Sequence, residues 1–322
     1  MKPRHLLEGG DLTPAPEQSD RLTCVVIPFI TFTAIWGATW IVIRGQLGPV
    51  PPQWSVTYRF VIAAAAMALI AIAKGQSLRI GRKGLIAAAF LGFTQFCLNF
   101  NAVYLAERHI TSGVVATVFA LLLIPSSLLG WAFLGQRPTA RFAWSSLVAV
   151  AGIVLLFVHE LQAHPADSRQ IATGIGLTLV GMLGASTANV AQARGEIRRF
   201  PLFSLLFWSM AAGAAIDAAI AFAMTGPPVF DARPTYWAGL LYLALAASVL
   251  TFSLYYPVVR KIGPAKAAYS SVLVPIIAMG FSTWLEHYHW NLLTVAGAAL
   301  ALGGMAAALS RSKSTVSAPD AA

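Results

Sequence analysis

Charge is what this sequence has least of. Charged residues make up 11% of the chain and hydrophobic residues 57%, where soluble domains carry roughly 25% charge. A chain of 322 residues cannot cover a water-facing surface with so few charges, so lipid is its expected solvent. Cysteine is nearly absent as well. Cys24 and Cys97 both lie in apolar runs, without CxxC or Cys/His spacing, which excludes a disulfide framework and leaves them as small packing residues. The six histidines fall in tails and loops, so no metal is expected. The chain also lacks H-E-x-x-H, G-x-S-x-G, P-loop and dinucleotide patterns. No cofactor is expected, and the chain does not read as an enzyme. The net charge of +10 does not point to nucleic acid, because the basic residues sit in short gaps rather than on a helix face.

What is present is a series of apolar runs. About 20 apolar residues cross the hydrocarbon as a helix, and ten segments qualify: 22–43, 53–73, 84–105, 110–134, 140–158, 173–193, 202–224, 236–258, 264–285 and 292–310. Pro and Gly punctuate the gaps. The tails and the gaps after the even-numbered segments hold 17 of the 22 Lys and Arg. The other side holds Arg44, Arg108, Arg169 and Arg233, and Arg59 lies inside a segment. That asymmetry places both termini in the cytoplasm of an inner-membrane protein. Trp54, Trp144, Trp237, Trp284 and Trp290 fall near segment ends, as interfacial aromatics do.

The chain repeats itself at about 150 residues. Ile124-Pro125 lines up with Val274-Pro275, and Gln136 with Glu286, each eleven residues after its proline. Ile110 to Gly113 lines up with Ile262 to Ala265. The predicted organisation is a disordered cytoplasmic tail (1–21), a five-helix repeat (22–158), a periplasmic linker (159–172), a second five-helix repeat (173–310) and a second cytoplasmic tail (311–322). Five is odd, so the second repeat must insert inverted, an arrangement found in transporters. The expected fold is an all-α integral membrane protein of ten transmembrane helices in two inverted repeats, N-in and C-in.

Trp36-Gly37, Arg59-Phe60, the Pro125 and Pro275 helices and Glu286 together resemble the drug/metabolite transporter superfamily, in its EamA-like branch of ten-helix permeases. The family often has Glu where this chain has Gln136. The resemblance implies a secondary transporter that exports or exchanges a small metabolite, amino acid or drug-like solute by alternating access. An intramembrane enzyme or a passive channel for a small organic solute is the alternative.

Arg59 and Asp217 are the charges read as lying well inside segments, ~9 and ~10 Å deep by helical rise. Intramembrane charges are functional candidates by default. Arg59 reads either as an anchor for a substrate carboxylate or as a side chain reaching out to headgroups. Asp217 and Glu286 are candidates for an ion pair or for coupling, with Arg59 and Asp217 placed so that they can meet. Polar stripes supply the remaining binding candidates: Trp36 and Trp40 with Thr33 and Arg44, Gln95 and Asn99, Asn189 with Ser186, and Ser248, Thr251 and Tyr255. Polar faces avoid lipid, though hydrogen bonding between helices explains such residues too. Pro125 and Pro275 are the expected helix kinks.

Overall fold

The computed structural model describes residues 22–135, 137–163, 167–262 and 270–309. The tails, part of the linker, and Gln136, Gly263, Pro264 and Ala265 of the repeat alignment lie outside these residues. Among the described residues there are helices and no strands. Eight helices are long and apolar enough to cross a membrane. They are α1 (Cys24–Gln46), α2 (Pro52–Ala73), α3 (Gly81–Ala106), α4 (Ser112–Leu134), α5 (Ala140–His159), α6 (Ser168–Ala193), α7 (Leu202–Thr225) and α8 (Pro234–Val258). Two shorter apolar helices follow, α9 (Ser270–Leu285) and α10 (Leu292–Ala308).

Local sequence explains the boundaries. Pro52 and Pro234 stand in the first turns of α2 and α8, where the missing N–H removes nothing and φ is already helical. Gly135 ends the α4 helix at φ 70°, a left-handed value that glycine takes without strain. The hydroxyls of Thr33, Thr57, Thr117 and Thr251 bond carbonyls four residues back in their own helices. That satisfies them without water. Outward faces carry bare Val61, Leu69, Ile72, Ile86, Phe222 and Leu292, as suits lipid contact.

Packing follows a regular scheme. α1 lies against α8 and α9, and α6 against α3 and α4. α2 meets α8, and α7 meets α3. α2 packs on α7, α4 on α9, and α5 on α10. Exchanging each helix for the one five places along maps this set of contacts onto itself. Glycines set the closest approaches. A Cβ on Gly92 of α3 would stand 2.7 Å from the Ser209 carbonyl of α7, and one on Gly213 of α7 would stand 2.7 Å from Phe96 Cβ. Gly37 of α1 admits Ile277 of α9 in the same way.

Besides the π-helical start at Leu22–Val26 and a 3-10 turn at Ala120–Leu122 of α4, two long interior stretches depart from α geometry. α3 is π-helical over Gly92–Asn99 and α8 over Tyr242–Leu250. They begin 150 residues apart, the period of the repeat. π turns are rare and concentrate at functional sites. In α8 the wider turn lets Ser248 Oγ donate to the Leu243 carbonyl five residues back, at 2.8 Å.

Candidate functional site

Arg59 is the largest fully buried side chain in the molecule's described part, 1% exposed. Its Nε donates to Ser248 Oγ at 3.1 Å, bringing α2 to the π-helical stretch of α8. Its guanidinium lies over the Phe100 ring at 4.4 Å and the Phe60 ring at 5.3 Å. The Tyr104 and Tyr242 rings complete its electrostatic surroundings. The Tyr104 hydroxyl is the polar side-chain neighbour of the guanidinium, and neither it nor Nη1 has a partner of good hydrogen-bond geometry. Among the described residues no carboxylate forms an ion pair with Arg59.

From Arg59 an aromatic chain runs across the bundle. Phe60 meets Phe96 and Phe100, Phe96 meets Phe252, and Phe252 meets Trp36. Trp36 packs on Tyr255 at 5.2 Å and donates its Nε1 to the Ala247 carbonyl at 3.3 Å. The same carbonyl accepts from Thr251 at 2.6 Å. Trp40 sits against Phe119 of α4 at 5.3 Å, its Nε1 unpartnered. The structure thus joins Trp36, Arg59, Ser248, Thr251 and Tyr255 through shared contacts. Trp40 lies one turn along α1 from Trp36.

The other candidates are distributed elsewhere. Gln95 is buried, and Asn99 is buried with Oδ1 unpartnered. Gly181 of α6 comes so close that a Cβ there would stand 3.1 Å from the Asn99 carbonyl. Asn189 on α6 is half-buried. Asp217 does not pair with Arg59. Its Oδ1 accepts from Asn101 Nδ2 at 2.6 Å, because Asp217 faces α3, while Arg59 turns towards α8. Pro125 follows a tight 3-10 turn at Ala120–Leu122 and lines an apolar cleft of about 340 Å³ with Ile124, Ile153 and Met182. Ser126 Oγ donates to Ser186 Oγ of α6 at 3.1 Å, and Ser186 Oγ reaches the Leu122 carbonyl at 3.3 Å. Pro275 is buried inside α9.

Glu286 has a defined partner set. It accepts from the Ser112 amide, 3.2 Å to each oxygen, and from Ser112 Oγ at 2.5 Å. It also lies 3.5 Å from Arg44 Nε. A carboxylate at the first residue of α4 meets the free N–H groups and the positive end of the helix dipole. Arg44 Nη1 further donates to the Glu107 carbonyl. Glu107, Asn101 and Tyr104 are the residues that reading the sequence missed. Asn101, Tyr104 and Glu107 follow one another at three-residue steps along the last turns of α3 and just past its end, and that spacing was the available signal.

Two copies of one family profile cover the chain. The profile, described as the EamA-like transporter family, matches residues 24–158 and again 172–310. The chain belongs to the EamA-like transporter family. It is therefore a multi-pass membrane transporter of the drug/metabolite transporter superfamily. It is similar to the uncharacterized transporter YoaV of Bacillus subtilis, 22% identical over 87% of this chain and 95% of that one. It is 26% identical to the uncharacterized inner membrane transporter YedA of Escherichia coli, over 78% and 79% of the two chains. Protein PagO of Salmonella typhimurium is 20% identical over 83% and 87%. A solved crystal structure superposes with a TM-score of 0.65 at 19% identity, covering 88% of this chain and 95% of its own, a likeness of fold.

Proposed function

We propose that this EamA-like protein is a secondary transporter that exports or exchanges a small, carboxylate-bearing metabolite, amino acid or drug-like solute across the inner membrane by alternating access. The observation that carries the reading is Arg59, a fully buried guanidinium that pairs with no carboxylate among the described residues. A buried charge without its counter-ion is costly unless something supplies that counter-ion. Flanking aromatics hold the cation meanwhile. A substrate carboxylate brings the missing charge, and guanidinium offers it a fixed fork of donors. Trp36, Trp40, Gln95, Asn99, Asn189, Ser248, Thr251 and Tyr255 are assigned to contact with the solute when the bundle opens around it.

The symmetric contact scheme and the twofold match of the profile support two inverted five-helix repeats. The excess of Lys and Arg on one side supports N-in, C-in orientation. That orientation puts Arg44, Glu107, Ser112 and Glu286 at the outer face. Proteoliposome flux tests the reading. Radiolabelled amino acids and their decarboxylated amines serve as probes. Saturable, counter-substrate-stimulated flux of the acids and not of the amines is the expected result. Unsaturable flux would make the protein a channel.

A further inference from the structure

Two glutamates, Glu107 and Glu286, gather with Arg44 at the end of the bundle where α1, α3, α4 and α9 converge. Glu286 is fully served there by Ser112 and Arg44. Glu107 is not. It lies one residue beyond α3, is 0% exposed, and neither of its carboxyl oxygens has a hydrogen-bond partner. Arg44 is oriented towards Glu286 and towards the Glu107 backbone carbonyl, not towards the Glu107 carboxyl group. An ionised Glu107 would sit dry, without donors and beside a second negative charge. Protonation removes that cost.

We infer that Glu107 is a proton-binding site and that the bound proton keeps this end of the bundle closed. The groups that act on it are Arg44 from α1, Glu286 from the end of α9 and Tyr104 from α3 itself. α4 presents Ser112, which is uncharged. Arg108 and His109 follow Glu107 in the chain, and Gly174 of α6 packs on His109 without adding charge. Burial first, and then the charge of Glu286, holds the Glu107 carboxyl well above the ordinary range, with Arg44 opposing. When the four helix ends separate, water reaches Glu107 and its proton passes to that water. The resulting carboxylate competes with Glu286 for Arg44 and loosens the hold of Glu286 on Ser112. The closed end binds one proton more than the open end. Closure is therefore strongest at low pH and weakens as pH rises towards the raised pKa of Glu107. The limit for one proton is about tenfold per pH unit. That this end opens at all rests on the transporter reading, whereas the proton on Glu107 does not.

Infrared difference spectra of the purified full chain, titrated from about pH 5 to about pH 8, test the proton directly. A protonated-carboxyl band that persists above the ordinary carboxylate range is expected. It should vanish in Glu107→Gln, shift in Glu107→Asp and survive Asp217→Asn, which removes the other buried carboxyl with an unpartnered oxygen. The closure arm uses Val115→Cys, one turn inside Ser112 and fully buried, in a chain with Cys24 and Cys97 replaced. Its labelling by an impermeant maleimide, divided at each pH by the rate measured for the same cysteine in the unfolded chain to remove the thiolate's own pH dependence, should rise with pH in the parent and stay slow and flat in Glu107→Gln. A band untouched by Glu107→Gln, or an equal pH response in that variant, would overturn the proposal. Should the glutamine variant fail to fold, an unmoved band in Glu107→Asp overturns it instead. Unsaturable flux would sink the transporter reading and leave the band in place.

Discussion

The α5–α10 pair and the core formed by α1, α2, α3 and α8 solve the burial problem in opposite ways. α5 and α10 meet through small residues. A Cβ on Gly152 would stand 2.3 Å from the Ala301 amide nitrogen, and one on Gly297 would stand 2.8 Å from the Gly152 carbonyl. Close backbone approach gives dispersion contact where no hydrophobic effect drives helices together in lipid. The α1–α2–α3–α8 core instead buries Arg59, Trp40 and Tyr104 with polar atoms unpartnered. Each such atom weakens the resting fold. On α5 and α10 the unpartnered buried polar atom among the described residues is Ser146 Oγ, an uncharged hydroxyl, whereas the core leaves a guanidinium, an indole and a phenol in that state.

The sharpest break of this contrast is Gly152→Leu. Its side chain has only backbone to displace, so overpacking of about 1–3 kcal/mol or more is expected, seen as a lowered melting temperature and loss of monodisperse protein. Gly303→Leu, on α10 with nothing within 4 Å of its added Cβ, should behave like the parent. Equal damage from both would mean that the close approach is unimportant.

Arg59 should show the reverse pattern. Arg59→Ala removes a buried charge along with its stacking on Phe100, so the melting temperature should change little. Transport should fall by roughly 10- to 100-fold, the worth of a charge-assisted hydrogen bond. Arg59→Lys should retain a part of it, since lysine lacks the planar fork. Asp217→Asn, next to Asn101, should alter apparent affinity by a few-fold at most while membrane levels hold. Initial rates normalised to membrane protein decide this. Parental rates in Arg59→Ala would make the arginine a packing residue.

The smallest effect belongs to the loop before α8. Arg233 donates three side-chain hydrogen bonds to Asp231, at 2.6 to 3.1 Å, and holds its carboxyl below the ordinary carboxylate range. A depressed carboxylate contributes stability above its unfolded pKa and loses it as pH falls through the folded one. The difference in melting temperature between the parent and Asp231→Asn should therefore be small and constant from about pH 5 to about pH 8 and shrink below about pH 4. A difference that grows towards neutral pH would contradict the pairing, and such pH dependence is reserved for Glu107.

Much of the architecture was legible because lipid imposes simple rules. Apolar runs of crossing length mark α1 to α8 within a few residues. α9 is shorter than its apolar run, because the stretch 263–269 lies outside the described residues. Helical spacing marked one polar stripe holding Trp36 on α1 and another of Ser248, Thr251 and Tyr255 on α8, and the two stripes do share contacts. Arg59 stood out as a charge in an apolar run. The pairing of Arg59 with Asp217 was not legible in the same way. Depth along two helices is computable from helical rise, but rotation about each axis depends on which neighbour packs where, and Asp217 turned to Asn101. Nor were the π turns of α3 and α8 legible, since no residue pattern in Gly92–Asn99 or Tyr242–Leu250 marks a change of helical pitch.

Composition and periodicity determined that this chain lives in lipid, that its helices come in two like sets, and that polar faces turn inward, because each of these depends on free energies of transfer that act residue by residue. Tertiary structure decided that Glu286 would be satisfied and that Glu107, three residues after Tyr104 and outwardly a loop residue, would be sealed in without a partner. A carboxylate's solvation is a property of everything that surrounds it, and only the convergence of α1, α3, α4 and α9 assembles those surroundings.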